Sequence, residues 1–297
     1  MLNKSIHDLI RTCIFIVMGR KGGITKTTIA VNLALFLARM FGLRVLLIET
    51  DGQGDATDSV GLPYADAFHE LINNNAEWVD VIEQVPEEFA GPGVDLWILR
   101  AFDAQLQVER NQDTPSILFD RLKELDGIYD VIVIDTGPNF AETHVGLYYA
   151  PTSGGSNIIL PTTIEKKAIK SLERMFGYLE QARNVAPMHV NADGEMVKMR
   201  TANMLAIQPN MFDGNRRIQH HLTGWIYGRY EQRTTVLKPM RYLQIWEHAS
   251  IHSRSVLDFT GRYATTARHE FMPLVNLAYE AYARENPHML EVTKDAV

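Results

Sequence analysis

A glycine pair between a short apolar run and a helical pattern constrains this chain more than any other feature. Residues 13–18 are apolar and rich in β-formers, and residues 26–40 carry apolar side chains at three- and four-residue steps. A second apolar run, residues 45–49, follows shortly after Gly42. Strand, glycine loop, helix and strand in this order predict a βαβ unit, and therefore parallel strands.

The rest of the chain predicts a doubly wound, mostly parallel α/β sheet flanked by helices. Runs that are apolar throughout, such as 45–48 and 131–134, suit strands covered on both faces. Residues 60–93 are acidic and are interpreted as helices and loops that decorate this sheet. Because no Pro-, Gly- or Ser-rich linker is present, we expect one domain over residues 1–297 with a variable insertion at about 60–93. Further strands are predicted at 96–99, 157–160 and 204–207, and helices at 116–125, 165–182 and 265–284.

Cysteine usage and hydropathy indicate the cellular setting. The single cysteine, Cys13, lies inside an apolar run, so one chain builds neither a disulfide framework nor a cysteine metal site. No signal pattern and no run of eighteen apolar residues is present. We therefore expect a cytoplasmic protein without membrane attachment.

Basic residues are concentrated late in the chain. Residues 198–268 contain eleven Lys and Arg against four Asp and Glu, although the net charge of the chain is -7. Such a segment predicts a surface for a polyanion, and a solvated face with internal ion pairs is the alternative.

Residues 21–28, KGGITKTT, have the side chains of a phosphate-binding loop. A loop between a buried strand and a helix points backbone N–H groups and the helix N-terminus at an anion, and Gly22 and Gly23 permit its close approach. Lys26 then reaches the β- and γ-phosphates, the Thr27 hydroxyl binds Mg²⁺, and Thr28 lies near the α-phosphate. The alternative is a glycine-containing turn that only caps the helix.

The strict pattern G-x-x-x-x-G-K-[ST] is not met, because Arg20 and Thr25 occupy the two glycine positions. Glycine tolerates a backbone angle that a β-branched residue adopts only with strain. We therefore expect Thr25 to alter nucleotide affinity or turnover.

Two aspartates follow apolar strands, where the ligand sites of parallel sheets gather. Asp51 comes just after the strand at 45–49, and Asp135 ends the run at 131–134. A turn cap is the alternative for Asp51. For Asp135, burial without a cation or donor would be costly.

Three segments in order resemble signatures of the ParA/MinD family. KGGITKTT resembles its deviant Walker A box, VLLIETDGQGDAT (45–57) its second signature, and YDVIVIDTGP (129–138) its Walker B strand. Gly52, Asp55 and Gly137 depart from the usual pattern. Looser likeness continues at 210–213 and 239–250.

The resemblance implies a P-loop ATPase that converts ATP and water to ADP and phosphate with Mg²⁺. Lys21 would reach across a homodimer to the partner's nucleotide, Asp51 would position the attacking water, and Asp135 would hold Mg²⁺ through its water shell. The nucleotide-binding residues would be Gly22, Gly23, Ile24, Thr25, Lys26, Thr27 and Thr28.

Later residues supply weaker candidates. Asn210 is a candidate for reading the adenine edge, because an amide donates and accepts, with a turn cap as its alternative. In the family, basic residues of the C-terminal third bind DNA without sequence preference. The candidates for DNA contact here are Arg216, Arg217, Arg241, Arg254 and Arg262.

The resemblance favours a ParA-type partition ATPase, bound to the nucleoid with ATP and stimulated by a ParB-like centromere-binding partner. With the phosphate loop near residue 20, we expect no N-terminal helix-turn-helix domain. The acidic tail at 287–297 does not resemble a basic amphipathic membrane anchor. Alternatives are an ATP-driven switch that positions a protein cargo, and a metabolic P-loop ligase.

Overall fold

The computed structural model describes residues 10–19, 23, 25–104, 107–108, 111, 113–137, 147–190 and 196–288. The strands are β1 Cys13–Val17, β2 Val45–Glu49, β3 Ile82–Gln84, β4 Leu96–Leu99, β5 Val131–Asp135, β6 Ser156–Thr163, β7 Met188–Val190, β8 Met196–Lys198, β9 Asn203–Asn210 and β10 Thr235–Val236. The helices are α1 Lys26–Phe41, α2 Asp55–Val60, α3 Ala67–Asn73, α4 Trp78–Val81, α5 Glu87–Ala90, α6 Thr114–Lys123, α7 Lys166–Val185, α8 Arg217–Tyr230, α9 Ile245–Ile251 and α10 Arg262–Glu285, with a 3₁₀ turn at Val256–Asp258.

The main sheet has eight strands within the described residues, in the order β10-β9-β6-β1-β5-β2-β4-β3. Every neighbouring pair is parallel except β3 with β4. A separate antiparallel pair is formed by β7 and β8. The predicted doubly wound, mostly parallel sheet is confirmed, and its central strands β1, β5 and β2 come from the motifs that define the candidate site.

Helices cover both faces of the sheet because its central strands are apolar throughout. Phe15 and Val17 of β1 face a core formed with α1 and α10, in which Phe36 packs edge-on against Phe271. The alternate residues, Ile14 and Ile16, face a second core formed with α3, α6 and α7. Side chains of successive strand residues point to opposite faces, so an all-apolar strand requires both layers.

Residues 60–93 differ in one respect from the prediction of helices and loops alone. Three short helices, α3 to α5, do occupy this segment, but Ile82–Gln84 is a strand that pairs antiparallel with β4 at the sheet edge. The sequence IEQ has too few apolar residues to mark a strand, and the exposed edge of β4 supplies the hydrogen bonds that form it.

Asn286, just after α10, holds the chain where it enters β1. Its side-chain oxygen accepts a hydrogen bond from Arg11 N at 2.8 Å, and its amide donates to Arg11 O at 3.0 Å. The side chain is fully buried.

Replacing Asn286 with Ala should therefore lower the free energy of unfolding by about 1–3 kcal/mol, the cost of leaving such backbone groups unsatisfied. Urea denaturation measures this loss. Asn215→Ala, at an exposed position, is the control and should change stability by less than about 0.5 kcal/mol. An unchanged urea midpoint for Asn286→Ala would contradict this role.

Candidate functional site

The candidate site lies at the carboxyl edge of the central strands. Asp135 ends β5 and is paired in register with Val17 of β1 on one side and Glu49 of β2 on the other. Because these strands are parallel and adjacent, their last residues meet at one edge. The first residue of α1, Lys26, lies beside them, and its charge acts on that of Asp135.

The described part of the phosphate loop has the backbone of an anion site. Gly23 has φ 67°, and α1 begins without an acidic residue in its first turn or a side-chain cap among the described residues. The N–H groups and partial positive charge of the helix N-terminus are therefore available to an anion. Lys21, Gly22 and Ile24 lie outside the described residues.

Thr25 adopts a left-handed backbone, with φ 67° and ψ 26°. The expectation that a β-branched residue is strained at this glycine position is confirmed, because non-glycine residues in this region cost about 1–2 kcal/mol. Its side chain is engaged as well, since the Asn210 amide donates to Thr25 Oγ1 at 2.7 Å.

Lys26 is a buried cation with acidic neighbours. Only 7% of its surface is exposed, and burial lowers its pKa, an effect opposed by the negative charges of Asp135, Asp51 and Asp55. The ammonium group is thus partly desolvated, which strengthens its attraction for an anion at the loop.

Asp135 is a fully buried carboxyl group. Burial raises its pKa to about 8, with Thr27 opposing this shift by a hydrogen bond and Lys26 by its charge. Apart from Thr27, no described residue offers either carboxylate oxygen a hydrogen-bond donor. A buried carboxylate that lacks donors is stabilised by a cation, so Thr27 and Asp135 fit a Mg²⁺ held beside phosphate oxygens.

Glu49 is a buried acid to which the sequence analysis gave no function. Its carboxylate accepts hydrogen bonds from Ala56 N at 2.7 Å, Thr57 Oγ1 at 2.5 Å and Ala101 N at 3.4 Å. Glu49 therefore joins the end of β2 to the first turn of α2. Burial raises its pKa to about 7. Its position at the end of an apolar strand, like that of Asp135, was the signal that could have identified it.

Asp51 lies in the turn between β2 and α2. Its Oδ1 accepts a hydrogen bond from Gln53 N at 3.2 Å, so the turn-capping contact considered from the sequence is present. The carboxyl group is half-buried and borders Gly137, where a Cβ would lie 3.6 Å from Asp51 Cγ. Asp51 and the end of β5 are thus neighbours, which is compatible with a second role towards a bound ligand.

A cavity of about 340 Å³ opens beside the start of α1. Thr25, Thr28 and Asn210 contribute to its wall next to the phosphate loop. Much of the remaining wall is apolar or aromatic, including Met240, Tyr242 and Trp246, and the charged residues Arg241 and Glu247 line it as well. This volume and lining suit a small planar ligand. Asn210 ends β9, and its side-chain amide donates a hydrogen bond to Thr25 Oγ1 at the phosphate loop.

The five candidate arginines for DNA contact are distributed over several elements. Arg216 pairs with Asp213 at 3.2 Å, Arg241 pairs with Glu270, and the Arg254 guanidinium lies 5.5 Å from the Phe259 ring centroid. Arg216 and Arg241 share one open cleft with Tyr242. The remaining two, Arg217 and Arg262, are exposed at the first turns of α8 and α10.

Two other kinds of feature are absent from the described part of the chain. No group of three or more His, Cys, Asp or Glu there is arranged to hold a metal ion by itself. No described helix combines the length and apolar character needed to span a bilayer.

The strand–loop–helix unit, the buried lysine and the strand-end aspartates define a P-loop NTPase fold. The family model described as AAA domain (AAA_31) matches residues 12–191, which is more than half of the chain. The chain therefore belongs to this family, and its relatives and structural neighbours place it among ParA/MinD-type proteins.

Three curated relatives illustrate the range of this family. The sporulation initiation inhibitor protein Soj of Bacillus subtilis is 25% identical over 61% of this chain and 68% of its own length. The chromosome-partitioning ATPase Soj of Thermus thermophilus is 26% identical over 64% and 70%. The septum site-determining protein MinD of Bacillus subtilis is 27% identical over 69% and 71%.

Solved structures at low identity share the fold. A complex of Cyanothece McdA with ATP superposes with a TM-score of 0.72 at 16% identity, covering 91% of this chain and 96% of that one. A plasmid partition protein of Borrelia burgdorferi bound to AMPPNP gives 0.65 at 19%, covering 90% and 99%. MinD of Pyrococcus horikoshii with Mg-ADP gives 0.64 at 18%, covering 91% and 95%.

Glu49 makes the stability of the ligand-free protein depend on pH. Its folded pKa of about 7 exceeds the ordinary 4.5, so its contribution to stability is complete below about pH 4.5 and is lost as pH rises through 7. Because Gln does not titrate, Glu49→Gln should lose less free energy of unfolding than the parent between pH 4.5 and 8. The difference should be up to about 3 kcal/mol. Urea unfolding at steps from pH 4.5 to 8 measures it.

The exposed substitution Glu231→Gln is the matched control and should leave the slope unchanged. Parallel pH profiles for Glu49→Gln and the parent would contradict the assignment.

Proposed function

We propose that this chain is a ParA-type partition ATPase that binds Mg²⁺-ATP at the carboxyl edge of β1, β5 and β2. The observation that carries the proposal is the juxtaposition of buried Lys26 and buried Asp135 at the start of α1. One is a partly desolvated cation for phosphate oxygens, and the other is a carboxyl group suited to a metal shell. The aromatic cavity beside Thr28 suits the base.

Residues of the loop and of the strand ends have distinct tasks in this proposal. The first-turn N–H groups of α1 and the Lys26 ammonium bind the phosphates, and Thr27 and Asp135 hold Mg²⁺, Asp135 through water. When bound, the ion neutralises charge that develops on the phosphate oxygens. Asp51 orients the attacking water, because its carboxylate lies beside the end of β5. Lys21 reaches the nucleotide of a second copy, as the family resemblance implies.

The nucleotide would drive a cycle of association and release. With ATP, two copies form a homodimer that binds DNA without sequence preference and associates with the nucleoid in the cytoplasm. Hydrolysis, stimulated by a ParB-like centromere-binding partner, releases the DNA. Residues 1–297 act as one ParA-like domain, in which the 60–93 segment is the variable insertion. The names of the Thermus thermophilus Soj relative and of the Borrelia plasmid partition protein support segregation of a plasmid or chromosome.

A second candidate is an ATP-driven switch that positions a protein assembly. It is favoured by the similarity to MinD, whose name describes site determination at the septum. The ligase alternative has a structural parallel in cobyrinic acid a,c-diamide synthase of Mycobacterium smegmatis, which shares the fold at 21% identity and a TM-score of 0.59. ATP turnover without a small-molecule acceptor would argue against the ligase.

Loss of the buried ammonium should weaken ATP binding. Lys26→Met keeps most of the side-chain volume but removes the charge, so ATP affinity should fall about 10- to 100-fold, as expected for a hydrogen bond to a charged group. Isothermal titration calorimetry with Mg²⁺-ATP measures the change. Lys198→Ala, an exposed lysine, is the control and should bind like the parent. Equal affinities of parent and Lys26→Met would contradict the phosphate site.

DNA binding should require ATP and the exposed arginines. Co-sedimentation with DNA in ATP, ADP and no nucleotide should give binding with ATP alone, and Lys21→Ala should abolish it. Reversing Arg217 and Arg262 to Glu should weaken binding and lower the salt-dependence slope by about 1 for each phosphate that is no longer neutralised. The same slope measurement on Arg216→Glu and Arg241→Glu tests whether paired arginines contribute.

Arg183→Glu, an exposed reversal on α7, is the control and should retain ATP-dependent binding. DNA binding that ignores nucleotide state would refute the partition cycle and leave the protein-positioning switch as the better interpretation.

A further inference from the structure

Two aromatic side chains lie beside the turn that carries Asp51. Tyr64 comes from the segment after α2, and Phe102 comes from the loop after β4. Their rings stack, with centroids 4.3 Å apart and planes 7° from parallel. Tyr64 belongs to the segment at residues 60–93, which contains none of the motifs of the candidate site. This segment therefore has a side chain next to the end of β2.

The Tyr64 ring lies against Gly54, the residue that closes the Asp51 turn. A Cβ on Gly54 would lie 2.8 Å from Tyr64 Cδ1 and Cε1, and 3.2 Å from Phe102 Cδ2. Gly54 N donates to Asp51 O at 3.2 Å, and Gly54 precedes α2 with φ 72°. Glycine accommodates both this backbone angle and the close approach of the rings. The two rings therefore restrict movement of the turn at its closing residue.

The backbone around Tyr64 is held by the loop after β4. Pro63 O accepts a hydrogen bond from Arg100 Nη1 at 2.6 Å, and Asp66 Oδ1 accepts one from Ala104 N at 2.8 Å. Strand β4 pairs with β2, which leads into the Asp51 turn. Although its surface is 49% exposed, Tyr64 is thus fixed to the same sheet that positions the turn.

The Tyr64 hydroxyl makes a separate contact with α2. It donates to the carboxylate of Asp58, whose negative charge is the largest cause of the raised pKa of Tyr64. The ring therefore contacts the turn, and the hydroxyl contacts the helix that follows it. Replacement with Phe removes the second contact and leaves the first in place.

In the proposed site, hydrolysis depends on the position of Asp51 more than ATP binding does. Lys26 and the first turn of α1 bind the phosphates, whereas Asp51 orients the attacking water. A displacement of about 1 Å in a positioning group can reduce a rate about 100-fold. Gln53 N donates to Asp51 Oδ1 at 3.2 Å, so the turn that the rings restrict also orients this carboxylate.

We propose that Tyr64, stacked on Phe102, is a positioning residue that holds the Asp51 turn in the geometry needed for ATP hydrolysis. This inference rests on the proposed ATPase function and deepens it by giving the segment at residues 60–93 a role in turnover. Both rings act on Asp51 through Gly54, and neither binds the nucleotide in this role.

Steady-state ATPase assays separate this positioning role from a role in binding. Tyr64→Ala removes the ring, so kcat should fall about tenfold while the KM for Mg²⁺-ATP changes less than about twofold, because the phosphate-binding residues are intact. Tyr64→Phe retains the stacked ring without the hydroxyl, and its kcat should lie within about twofold of the parent value.

Hydrogen exchange of the ligand-free protein tests the contact itself. Gln53 N and Gly54 N donate hydrogen bonds within the turn, so their exchange reports how often the turn opens. In Tyr64→Ala, a peptide that covers residues 51–54 should exchange about tenfold faster than in the parent. Tyr64→Phe should exchange like the parent, and peptides from α10 should be unchanged in both variants.

Tyr263→Ala is the matched control, because Tyr263 is an exposed tyrosine in the first turn of α10. It should retain the kcat and KM of the parent and the exchange rate of residues 51–54. If Tyr64→Ala does not fold, Phe102→Leu replaces it, since Leu retains apolar packing but cannot stack with the Tyr64 ring.

A Tyr64→Ala protein with the parent kcat overturns the inference and leaves the ATPase function intact. A loss of kcat that Tyr64→Phe does not restore, or an unchanged exchange rate of residues 51–54, also overturns it. A parent protein that does not hydrolyse ATP refutes the proposed function, and hydrogen exchange then still tests whether the rings hold the turn. The two failures are therefore distinguishable.

Discussion

Buried ionisable side chains determine the electrostatics at the carboxyl edge of the sheet. Asp135 and Glu49 end neighbouring strands without exposed surface, and Lys26 begins the adjoining helix at 7% exposure. Burial disfavours the charged form of each group, which is why the pKa values of the acids rise and that of the lysine falls. Glu49 is compensated by hydrogen bonds from α2. Asp135 has less compensation from the described residues, so a cation beside it would stabilise the site as a whole.

The sequence was sufficient for the parts of the fold that depend on local pattern. The βαβ unit and the position of Asp135 at a strand end follow from apolar runs and loop residues within short segments. The left-handed backbone of Thr25 could be anticipated because glycine is expected there. These features depend on residues close together in the chain, where periodicity and steric rules apply directly.

The parts that could not be predicted are those that join distant segments. The β3 strand forms because β4 presents an open edge, not because IEQ favours a strand. The cavity of about 340 Å³ beside α1 combines residues from α1, the end of β9 and α9, so no single stretch of sequence predicts it. Likewise, Glu49 is held in part by the backbone of Ala101, 52 residues away. Tertiary contacts of this kind leave no periodic signal.

The formal charge of residues 198–268 overstates the positive charge that their surface presents. Its formal excess of positive charge suggested a polyanion site, yet several of its arginines pair with acids. Some partners lie within the segment, as Asp213 does for Arg216, and others come from α7, as Glu173 and Glu180 do for Arg229 and Arg233. Exposed pairs of this kind contribute little to stability, but they reduce the local field. In the proposed function, attraction for DNA therefore depends on the arginines at the helix starts, Arg217 and Arg262, more than on the total charge of the segment.

Thr25 belongs to the phosphate loop and also lines the cavity of about 340 Å³ beside α1. Its left-handed backbone costs about 1–2 kcal/mol, and one neutral hydrogen bond to Asn210 returns about 1 kcal/mol. The two effects nearly cancel, so fold stability alone gives little reason for threonine at a position where glycine would carry no strain. The difference between the two residues lies in the hydroxyl group, which contacts the Asn210 amide at the wall of the cavity. Threonine at this position therefore changes the polar lining of the cavity beside the phosphate loop more than it changes the stability of the fold.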